Sequence, residues 1–180
     1  MSLVFGEIRQ IAYVTRNFDK AVDFFLHTGI GPWFVHKKRM MKGVNYLGNN
    51  IDVEMSVGLA NSGSLQLEII EPTGSSRSIY TDWLDKHPTE MLVQHISSWA
   101  VDFPADERRV FDAGYRLVMG GRLDAGMFGY YNHSNHPDFI FEIAEMTAPR
   151  RYIWESIAKI AQSWDGRKDP VRPWPIPPTS

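Results

Sequence analysis

The sequence predicts an α+β fold made of two β-α-β-β-β modules, and the clearest sign of this is a pair of similar segments. Residues 65–71 read LQLEIIE and residues 139–145 read FIFEIAE; they match apolar for apolar at most positions, and each has a central glutamate. Each segment closes a run of strand-like stretches that begins with a strand followed by a helix. A chain of 180 residues with a hydrophobic fraction of 43% can bury one sizeable core. We therefore interpret residues 1–147 as a single domain with an internal duplication.

The first module is expected over residues 6–73. Residues 8–14 (IRQIAYV) are rich in β-branched and aromatic side chains and predict a strand. Asn17 is the expected N-cap of a helix that runs to about His27, just before Gly29. Extended segments at 30–38 (IGPWFVHKK) and 51–60 (IDVEMSVGLA) follow, and LQLEIIE completes the module.

The second module repeats this order over residues 91–147. It has a strand-like segment at 92–101, a helix at 104–114 and three further strand-like segments, YRLVMGG, GMFGYYNH and DFIFEIAEM. The connection between the modules includes a short helix. Apolar residues at helical spacing predict a C-terminal helix over residues 148–166 that docks on the domain's own surface. The proline-rich residues 167–180 are expected to be polyproline-like or disordered.

Composition and charge narrow the range of partners and locations. The formal charge of −2 and the pI near 6.3 provide no electrostatic footprint for nucleic acid or for an anionic membrane surface. The chain has no cysteine, which excludes disulfides and thiolate metal sites and fits a reducing cytoplasm. It also has no long apolar run and no signal-peptide pattern, so we expect a cytoplasmic protein that acts on a small molecule.

The two central glutamates need partners for their negative charge and for their hydrogen-bond acceptors. Because side chains alternate along a strand, Glu68 lies opposite its apolar neighbours Leu67 and Ile69, which are expected to pack on the helices. The same parity separates Glu142 from its own apolar neighbours. Burying an unpaired carboxylate is costly, so both glutamates must face a site that provides charge or hydrogen-bond partners.

Two further polar residues occupy matching positions at the start of the modules, Gln10 in QIAYV and His95 in HISSW. A pseudo-symmetric fold brings equivalent positions of its halves together, so four residues are expected to meet: Gln10, Glu68, His95 and Glu142. One imidazole nitrogen and three oxygens with two negative charges suit a divalent cation, with water completing an octahedral shell. Zinc, nickel, cobalt, manganese and magnesium all remain open.

The order and spacing of these segments resemble the vicinal oxygen chelate superfamily, which includes glyoxalase I, methylmalonyl-CoA epimerase, extradiol dioxygenases and the bleomycin-resistance proteins. The resemblance rests on IRQIAYVTRNFDKAVDFFLHTGIGPWFV, VGLANSGSLQLEIIEP, QHISSWAVD and FIFEIAE, and it covers most of residues 8–146. It is closest to bacterial glyoxalase-like proteins with a GIGP-type segment. The resemblance implies a mixed sheet that curls into a cup, with a metal held by the first and last strands of each module, at Gln10, Glu68, His95 and Glu142.

The resemblance also implies roles for individual residues. Glu142 is expected to be the base that abstracts a proton next to a carbonyl group, and Glu68 the second acid or base across the pseudo-twofold axis. By similarity to the epimerase, an acidic residue on the preceding strand is an alternative, here Asp52. Trp99 and Tyr130 are expected to line the cup and to shape an apolar substrate pocket.

Two functions from different classes fit this pattern. The first is a metal-dependent lyase or isomerase of the glyoxalase or epimerase kind, acting on a small carbonyl compound or thioester. The second is a metal-free protein of the bleomycin-resistance type that binds and sequesters a small molecule. The four ligand-type residues favour the enzyme, and glutamine at position 10 disfavours dioxygenase chemistry, which uses two histidines and a glutamate. A homodimer is also expected, because exchange of modules between subunits is a known variation of the fold.

Overall fold

The computed structural model describes residues 2–178, and within them two modules of the predicted kind follow each other along the chain. The elements are β1 (Ile8–Thr15), α1 (Phe18–His27), β2 (Trp33–Tyr46), β3 (Asn49–Ser62), β4 (Leu65–Pro72), α2 (Ile79–Lys86), β5 (Met91–Ala100), α3 (Phe103–Asp112), β6 (Tyr115–Leu123), β7 (Gly126–His133), β8 (His136–Glu145), α4 (Ala148–Gln162) and β9 (Val171–Pro173). The predicted α+β fold is confirmed, with α2 between the modules and α4 after them. None of the helices in this range has the length and apolar character needed to cross a membrane.

Helices α1 and α3, which occupy the same place in their modules, begin at matching N-caps. Asn17 Oδ1 accepts the backbone N–H of Lys20 at 3.1 Å before α1. Asp102 Oδ1 accepts the backbone N–H of Ala105 at 3.1 Å before α3. Each bond satisfies one of the donors that the first turn of a helix leaves unpaired.

The strands of the described range form one mixed sheet in the order β3-β4-β1-β5-β8-β7-β6-β2-β9, and β2 pairs with β3 as well. The modules join at the centre, where β1 and β5 run antiparallel. At the other side, Asn45 and Tyr46 of β2 pair with Gly120 and Met119 of β6. Because β2 pairs with both β3 and β6, the sheet curls round and closes on itself, which confirms the predicted cup.

The two faces of the sheet separate as the parity of the sequence predicts. On the outer face, α1 packs on Leu67 and Ile69 of β4, and α3 packs on Phe141 and Ile143 of β8. These four residues are the apolar neighbours of the two central glutamates. Since side chains alternate along a strand, the glutamates themselves point to the inside of the cup.

Helices α2 and α4 pack against the inner face and fill much of the cup. The buried side chains of α2 belong to one core with Val14 and Ile70. Those of α4, Trp154 and Ile157, pack on Phe34, Leu59 and Ala144. The cavity that remains between the two helices is lined by side chains of both, and it contains the site described below.

Part of the C-terminal tail, which the sequence predicted to be polyproline-like or disordered, forms a short strand; residues 179–180 lie outside the described range. Val171–Pro173 pairs in parallel with the first residues of β2, and the indole N–H of Trp174 donates to Phe34 O at 3.0 Å. The physical reason lies in β2, whose far end alone pairs with β6. Its near end therefore has unpaired backbone groups along one edge, and even a proline-rich strand can satisfy such an edge.

Candidate metal centre

The register of the central strands brings Glu68 and His95 to the same row of the inner face. Ala12 of β1 pairs with Glu68 of β4 on one side and with His95 of β5 on the other. Directly opposite residues of neighbouring strands share a face, so all three side chains point into the cup. The methyl group of Ala12 leaves space between the carboxylate and the imidazole.

The next row repeats this arrangement with the modules exchanged. Gln10 of β1 pairs with Ser97 of β5, and Ser97 pairs with Glu142 of β8. Here the small side chain of Ser97 lies between Gln10 and Glu142, as Ala12 does in the first row. The pseudo-twofold axis thus relates the two rows, and the structure brings the four predicted ligand residues to one patch.

The donor atoms of this patch lie close together. His95 Nε2 is 3.6 Å from Glu68 Oε2 and 3.7 Å from Glu142 Oε2. Ligand atoms of the three residues all fall within 4.8 Å of one another. Around one ion with bonds of roughly 2.1 Å, neighbouring ligand atoms lie roughly 3 Å apart and opposite ones roughly 4 Å apart. The observed spacing is of the size that a single divalent ion requires.

Two buried glutamines orient the neutral ligands. The imidazole of His95 donates through Nδ1 to Gln94 Oε1 at 2.5 Å, which leaves the lone pair of Nε2 on the side of the carboxylates. Gln10 donates its amide N–H to Gln66 Oε1 at 2.8 Å, which leaves Gln10 Oε1 as a free acceptor. Within residues 2–178, neither His95 Nε2 nor Gln10 Oε1 has a hydrogen-bond partner. Unpartnered buried polar atoms are costly, so these residues fit a cation that both atoms would coordinate.

The electrostatics of the patch also favour a positive charge. Burial alone would lower the pKa of His95, but the nearby negative charges of Glu142 and Glu68 raise it to about 9. Burial raises the pKa of Glu68. For Glu142, the effect of burial, which would raise the pKa, is outweighed by the close approach and charge of His95, so the pKa is lowered. An imidazolium proton between two carboxylates makes the same interactions that a divalent cation would make in its place.

The patch faces the cavity inside the cup. Gln10, Glu68 and Glu142 line it directly, while the His95 side chain is fully buried behind them. Most of the remaining wall is apolar and comes from both modules and from α4: Met41, Met55, Leu59, Leu123, Phe128, Ala144, Ile153 and Trp154. A small organic molecule in this cavity would therefore contact apolar side chains over much of its surface, and polar groups at the metal centre and at the tyrosines and arginines of the wall.

A hydroxyl pair also lines the cavity. Tyr80 of α2 and Tyr130 of β7 are joined by one hydrogen bond of 2.8 Å between their oxygens, and the Tyr130 ring meets the His95 ring edge-on at 4.9 Å. Burial raises the pKa of both hydroxyls well above the ordinary value for tyrosine, so both keep their protons at neutral pH. One proton joins the pair, and the other is available to a molecule in the cavity. Tyr130, named from the sequence as a cavity residue, is located there.

Trp99, which was expected to line the cup, and Asp52, the alternative acid or base that was also expected to contact the substrate, do not line this cavity. Trp99 belongs to the core under α4, where the Trp154 ring covers it with 4.3 Å between ring centroids. Asp52 is exposed on β3, and its carboxylate accepts the backbone N–H of Gly43 at 2.9 Å. The sequence did not reveal that α4 would occupy the part of the cup that Trp99 faces.

Two cavity arginines were not singled out from the sequence. Arg39 and Arg150 both line the wall, but each lies in a short basic run that has the pattern of ordinary surface. Arg150 donates to the backbone oxygens of Met127 at 2.9 Å and Glu145 at 2.5 Å, so it joins α4 to β7 and β8. Nothing in the local pattern distinguishes these two arginines from their solvated neighbours.

The family comparison agrees with this fold. The model described as "Glyoxalase/Bleomycin resistance protein/Dioxygenase superfamily" matches residues 9–131, about two thirds of the chain. No curated protein sequence matches the chain.

Several solved structures share the fold at low sequence identity. Methylmalonyl-CoA epimerase from Mycobacterium tuberculosis has a TM-score of 0.56 at 16% identity, over 82% of this chain and 93% of that one. A variant of methylmalonyl-CoA epimerase from Streptomyces coelicolor, in complex with 2-nitronate-propionyl-CoA, has a TM-score of 0.55 at 20% identity, over 80% of this chain and 99% of that one. A 4-hydroxymandelate synthase variant from Streptomyces coelicolor has a TM-score of 0.50 at 12% identity, over 78% of this chain and 49% of that one. At these identities the likeness concerns the fold.

Proposed function

The chain belongs to the glyoxalase/bleomycin resistance protein/dioxygenase superfamily, and from this premise we propose that it is a metal-dependent isomerase or lyase. The proposed reaction begins with removal of a proton next to a carbonyl group of a small molecule. One observation carries the proposal: ligand atoms of Glu68, His95 and Glu142 converge beside the cavity, and the free oxygen of Gln10 completes the group. A protein that only sequesters an apolar ligand has no need of two carboxylates around an imidazole.

Gln10, Glu68, His95 and Glu142 are the proposed ligands of a divalent cation, whether zinc, nickel, cobalt, manganese or magnesium. When bound, the cation stabilises the negative charge that develops on a carbonyl oxygen as the neighbouring proton leaves. Mixed nitrogen and oxygen ligands suit several of these ions. The two carboxylates offset the charge of a dication, which reduces the cost of holding it in the protein interior.

The same two carboxylates are the proposed proton carriers. One comes from each module, and their oxygens lie at 3.6 and 3.7 Å from His95 Nε2. Glu142 is the proposed base that takes the proton from carbon, and Glu68 is the proposed acid or base on the other side of the pseudo-twofold axis. Return of the proton to the opposite face of the same carbon gives an isomer. Expulsion of a leaving group from the substrate carbanion gives the product of a lyase.

The cavity wall supports this chemistry in two ways. The second proton of the Tyr80–Tyr130 pair can be donated to a substrate oxygen, where it stabilises negative charge. The apolar residues of the wall exclude water, and interactions between charged groups are stronger in such surroundings.

Metal analysis of the purified protein tests the proposed centre. We expect about one divalent ion per chain and a lower melting temperature after chelation, because an ion that binds only the folded state stabilises it. His95→Ala should take up much less metal than the native protein under the same conditions. If the native protein takes up no divalent ion and chelation leaves its melting temperature unchanged, the metal-enzyme proposal is wrong.

Deuterium exchange tests the proposed reaction. The metal-loaded protein is incubated in heavy water with a panel of thioesters and α-ketoaldehyde adducts, and NMR records exchange of the proton next to the carbonyl. Glu142→Gln should slow exchange at least about 100-fold, because it removes the base and keeps the size of the side chain. Binding of a panel compound with no exchange and no turnover would instead indicate a sequestering protein.

A further inference from the structure

Arg39 is turned into the cavity by an irregularity in β2. The pairing of β2 with β3 shifts register between His36 and Arg39, and Lys38 within this bulge has φ of 51°, in the left-handed region. Lys37, two residues before Arg39, lies on the outer face, where it contacts Asp19 of α1 at 2.5 Å. Without the bulge, Arg39 would share that outer face, because residues two apart in a strand point the same way.

The guanidinium group that the bulge brings inside has no hydrogen-bond or ion-pair partner among the described residues. Arg39 makes no hydrogen bond or ion pair within residues 2–178. Burial is the main influence on its pKa and lowers it, against the opposing effect of the negative charge of Glu68. Arg150, on the same cavity wall, has donors committed to the backbone oxygens of Met127 and Glu145. The two arginines therefore differ: Arg150 uses Nη1 to join α4 to the sheet, whereas none of the N–H donors of Arg39 is used within the described residues.

The C-terminal tail holds Arg39 in place. The guanidinium of Arg39 lies over the Trp174 ring, 4.9 Å from its centroid. Trp174 is itself fixed by the hydrogen bond to Phe34 O and by the pairing of β9 with β2. Contact with an aromatic face orients the planar guanidinium but uses none of its hydrogen-bond donors.

A positively charged groove adjoins the cavity. It shares Arg39 and Trp174 with the cavity wall and adds Lys42 and Arg122, with Asp124 as the acidic residue among its lining side chains. Because positive groups outnumber negative groups along this groove, it would attract anions toward the cavity. Arg39 lies where the groove and the cavity meet, on the same wall as Glu68 and Glu142.

We propose that Arg39 is the anchor for a carboxylate group of the substrate, so that the substrate is a small carbonyl compound that carries a carboxylate. The inference rests on the proposed function, because it assigns the metal centre and Arg39 to two ends of one molecule. A guanidinium binds a carboxylate through two parallel hydrogen bonds, which fixes the orientation of the molecule as well as its charge. The carboxylate bound at Arg39 would hold the carbonyl group toward Glu142 and Glu68.

Binding of propionate and propionamide tests this inference directly, because the two compounds match in shape and differ in charge. Calorimetry on the native protein, with and without divalent metal, should show propionate binding at least about tenfold more tightly than propionamide. Arg39→Gln should remove this preference, and Arg39→Lys should restore part of it because it keeps the charge and loses the fork. Trp174→Leu should weaken propionate severalfold, since it releases the guanidinium from its support.

Arg108→Gln is the matched control, because it removes one arginine charge from the exposed surface of α3. It should leave propionate binding unchanged, and circular dichroism and melting curves should show that all the variants are folded. Equal affinity for propionate and propionamide, or native propionate affinity in Arg39→Gln, would overturn the inference. If the protein takes up no metal while propionate binding still depends on Arg39, the anion site stands and the proposed enzyme function is wrong. If the protein takes up metal but propionate binding does not depend on Arg39, the proposed function stands and the inference about Arg39 is wrong.

Discussion

The central glutamates of the two modules occupy equivalent strand positions but lie in different surroundings. Glu68 and Glu142 are at nearly equal distances from His95 Nε2, 3.6 and 3.7 Å. Burial, helped by the neighbouring carboxylate, raises the pKa of Glu68, whereas the contacts of Glu142 with His95, and the positive charge of Arg150, outweigh its burial. Arg150 belongs to α4, the helix after the second module; α2, the helix after the first, contributes Tyr80 to the cavity instead. Paired carboxylates whose surroundings separate their proton affinities are suited to opposite roles in proton transfer.

The opening strands show the same combination of common geometry and different chemistry. Gln10 and His95 lie in equivalent rows, and a buried glutamine orients each of them, Gln66 in the first module and Gln94 in the second. The first module supplies a neutral amide oxygen, and the second supplies an imidazole nitrogen. The duplicated geometry fixes where the ligands are, and the residue types decide how strongly each module binds a metal.

The largest expected effect is the difference between His95→Ala and Gln10→Ala in metal affinity. Loss of the imidazole should weaken zinc binding roughly 1,000-fold. This is more than the roughly 10- to 100-fold loss expected when a residue that only hydrogen-bonds to a metal ligand is removed. Loss of the amide oxygen should cost roughly tenfold, because a neutral oxygen is the weaker ligand for zinc. Competition with a coloured chelator measures both constants. Equal losses for the two variants would show that the modules contribute equally and would remove the asymmetry proposed above.

The pH dependence of stability in the metal-free protein is the next largest effect. The pKa of His95 is raised from 6.5 to about 9, so its stabilising contribution is fully present below pH 6.5 and is lost as the pH rises through 9. The native state holds more protons than the unfolded state in this window, and the free energy of unfolding should fall by on the order of 3 kcal/mol across it. Urea denaturation at a series of pH values measures the change.

Matched glutamine variants assign this pH effect to the two modules. Glu142→Gln and Glu68→Gln should each lower the pKa of His95 in the metal-free protein, because each removes a carboxylate that favours the imidazolium. Glu142→Gln should lower it at least as far, since Glu142 is the carboxylate with the lowered pKa. NMR titration of the imidazole resonances gives both values. An unchanged His95 pKa in both variants would contradict the charge arrangement described for the patch.

A smaller effect is expected from the glutamines behind the ligands. Gln94→Met keeps the approximate size of the side chain but removes the acceptor of the His95 Nδ1–H, and zinc affinity should fall about 10- to 100-fold. Gln66→Met removes the corresponding partner of Gln10 and should cost less than tenfold, because the ligand it orients is itself weaker. The same chelator competition applies. A larger loss in Gln66→Met than in Gln94→Met would reverse the ranking of the modules.

The parts of the fold and site that the sequence predicted depend on local alternation and on the duplication. Strand parity placed Glu68 and Glu142 opposite the helix-facing residues, and the structure has Leu67 and Phe141 under α1 and α3 as expected. Comparison of the two halves of the sequence showed that Gln10 and His95 occupy equivalent positions in their modules. The structure brings these residues to one patch, because the axis that relates the modules passes between β1 and β5.

The parts that the sequence did not predict depend on long-range pairing. Alternation alone would place Arg39 on the outer face with Lys37. The bulge at Lys38 turns Arg39 to the inner face, and this bulge arises from the pairing of β2 with β3, which the local sequence does not show. Trp174 lies in a segment whose composition is typical of disorder, and it is ordered because the near end of β2 offers an unpaired edge. The side chain of Trp99 points to the inside of the cup as expected, but Trp154 of α4, which is distant in sequence, covers it.

The smallest expected effect compares the caps of the equivalent helices α1 and α3. Asn17→Ala and Asp102→Ala should each lower the free energy of unfolding by about 1 kcal/mol, because each leaves a first-turn N–H without its side-chain acceptor. The Asp102 variant should lose a few tenths of a kcal/mol more at low salt, since a carboxylate also interacts with the positive end of the helix dipole. Asp102→Asn gives the second module the same type of cap as the first. Urea denaturation at low and high salt should therefore show that this variant loses only the salt-dependent part of the free energy of unfolding that Asp102 contributes. A full loss in Asp102→Asn would mean that the charge, and not the hydrogen bond that the two modules share, holds the start of α3.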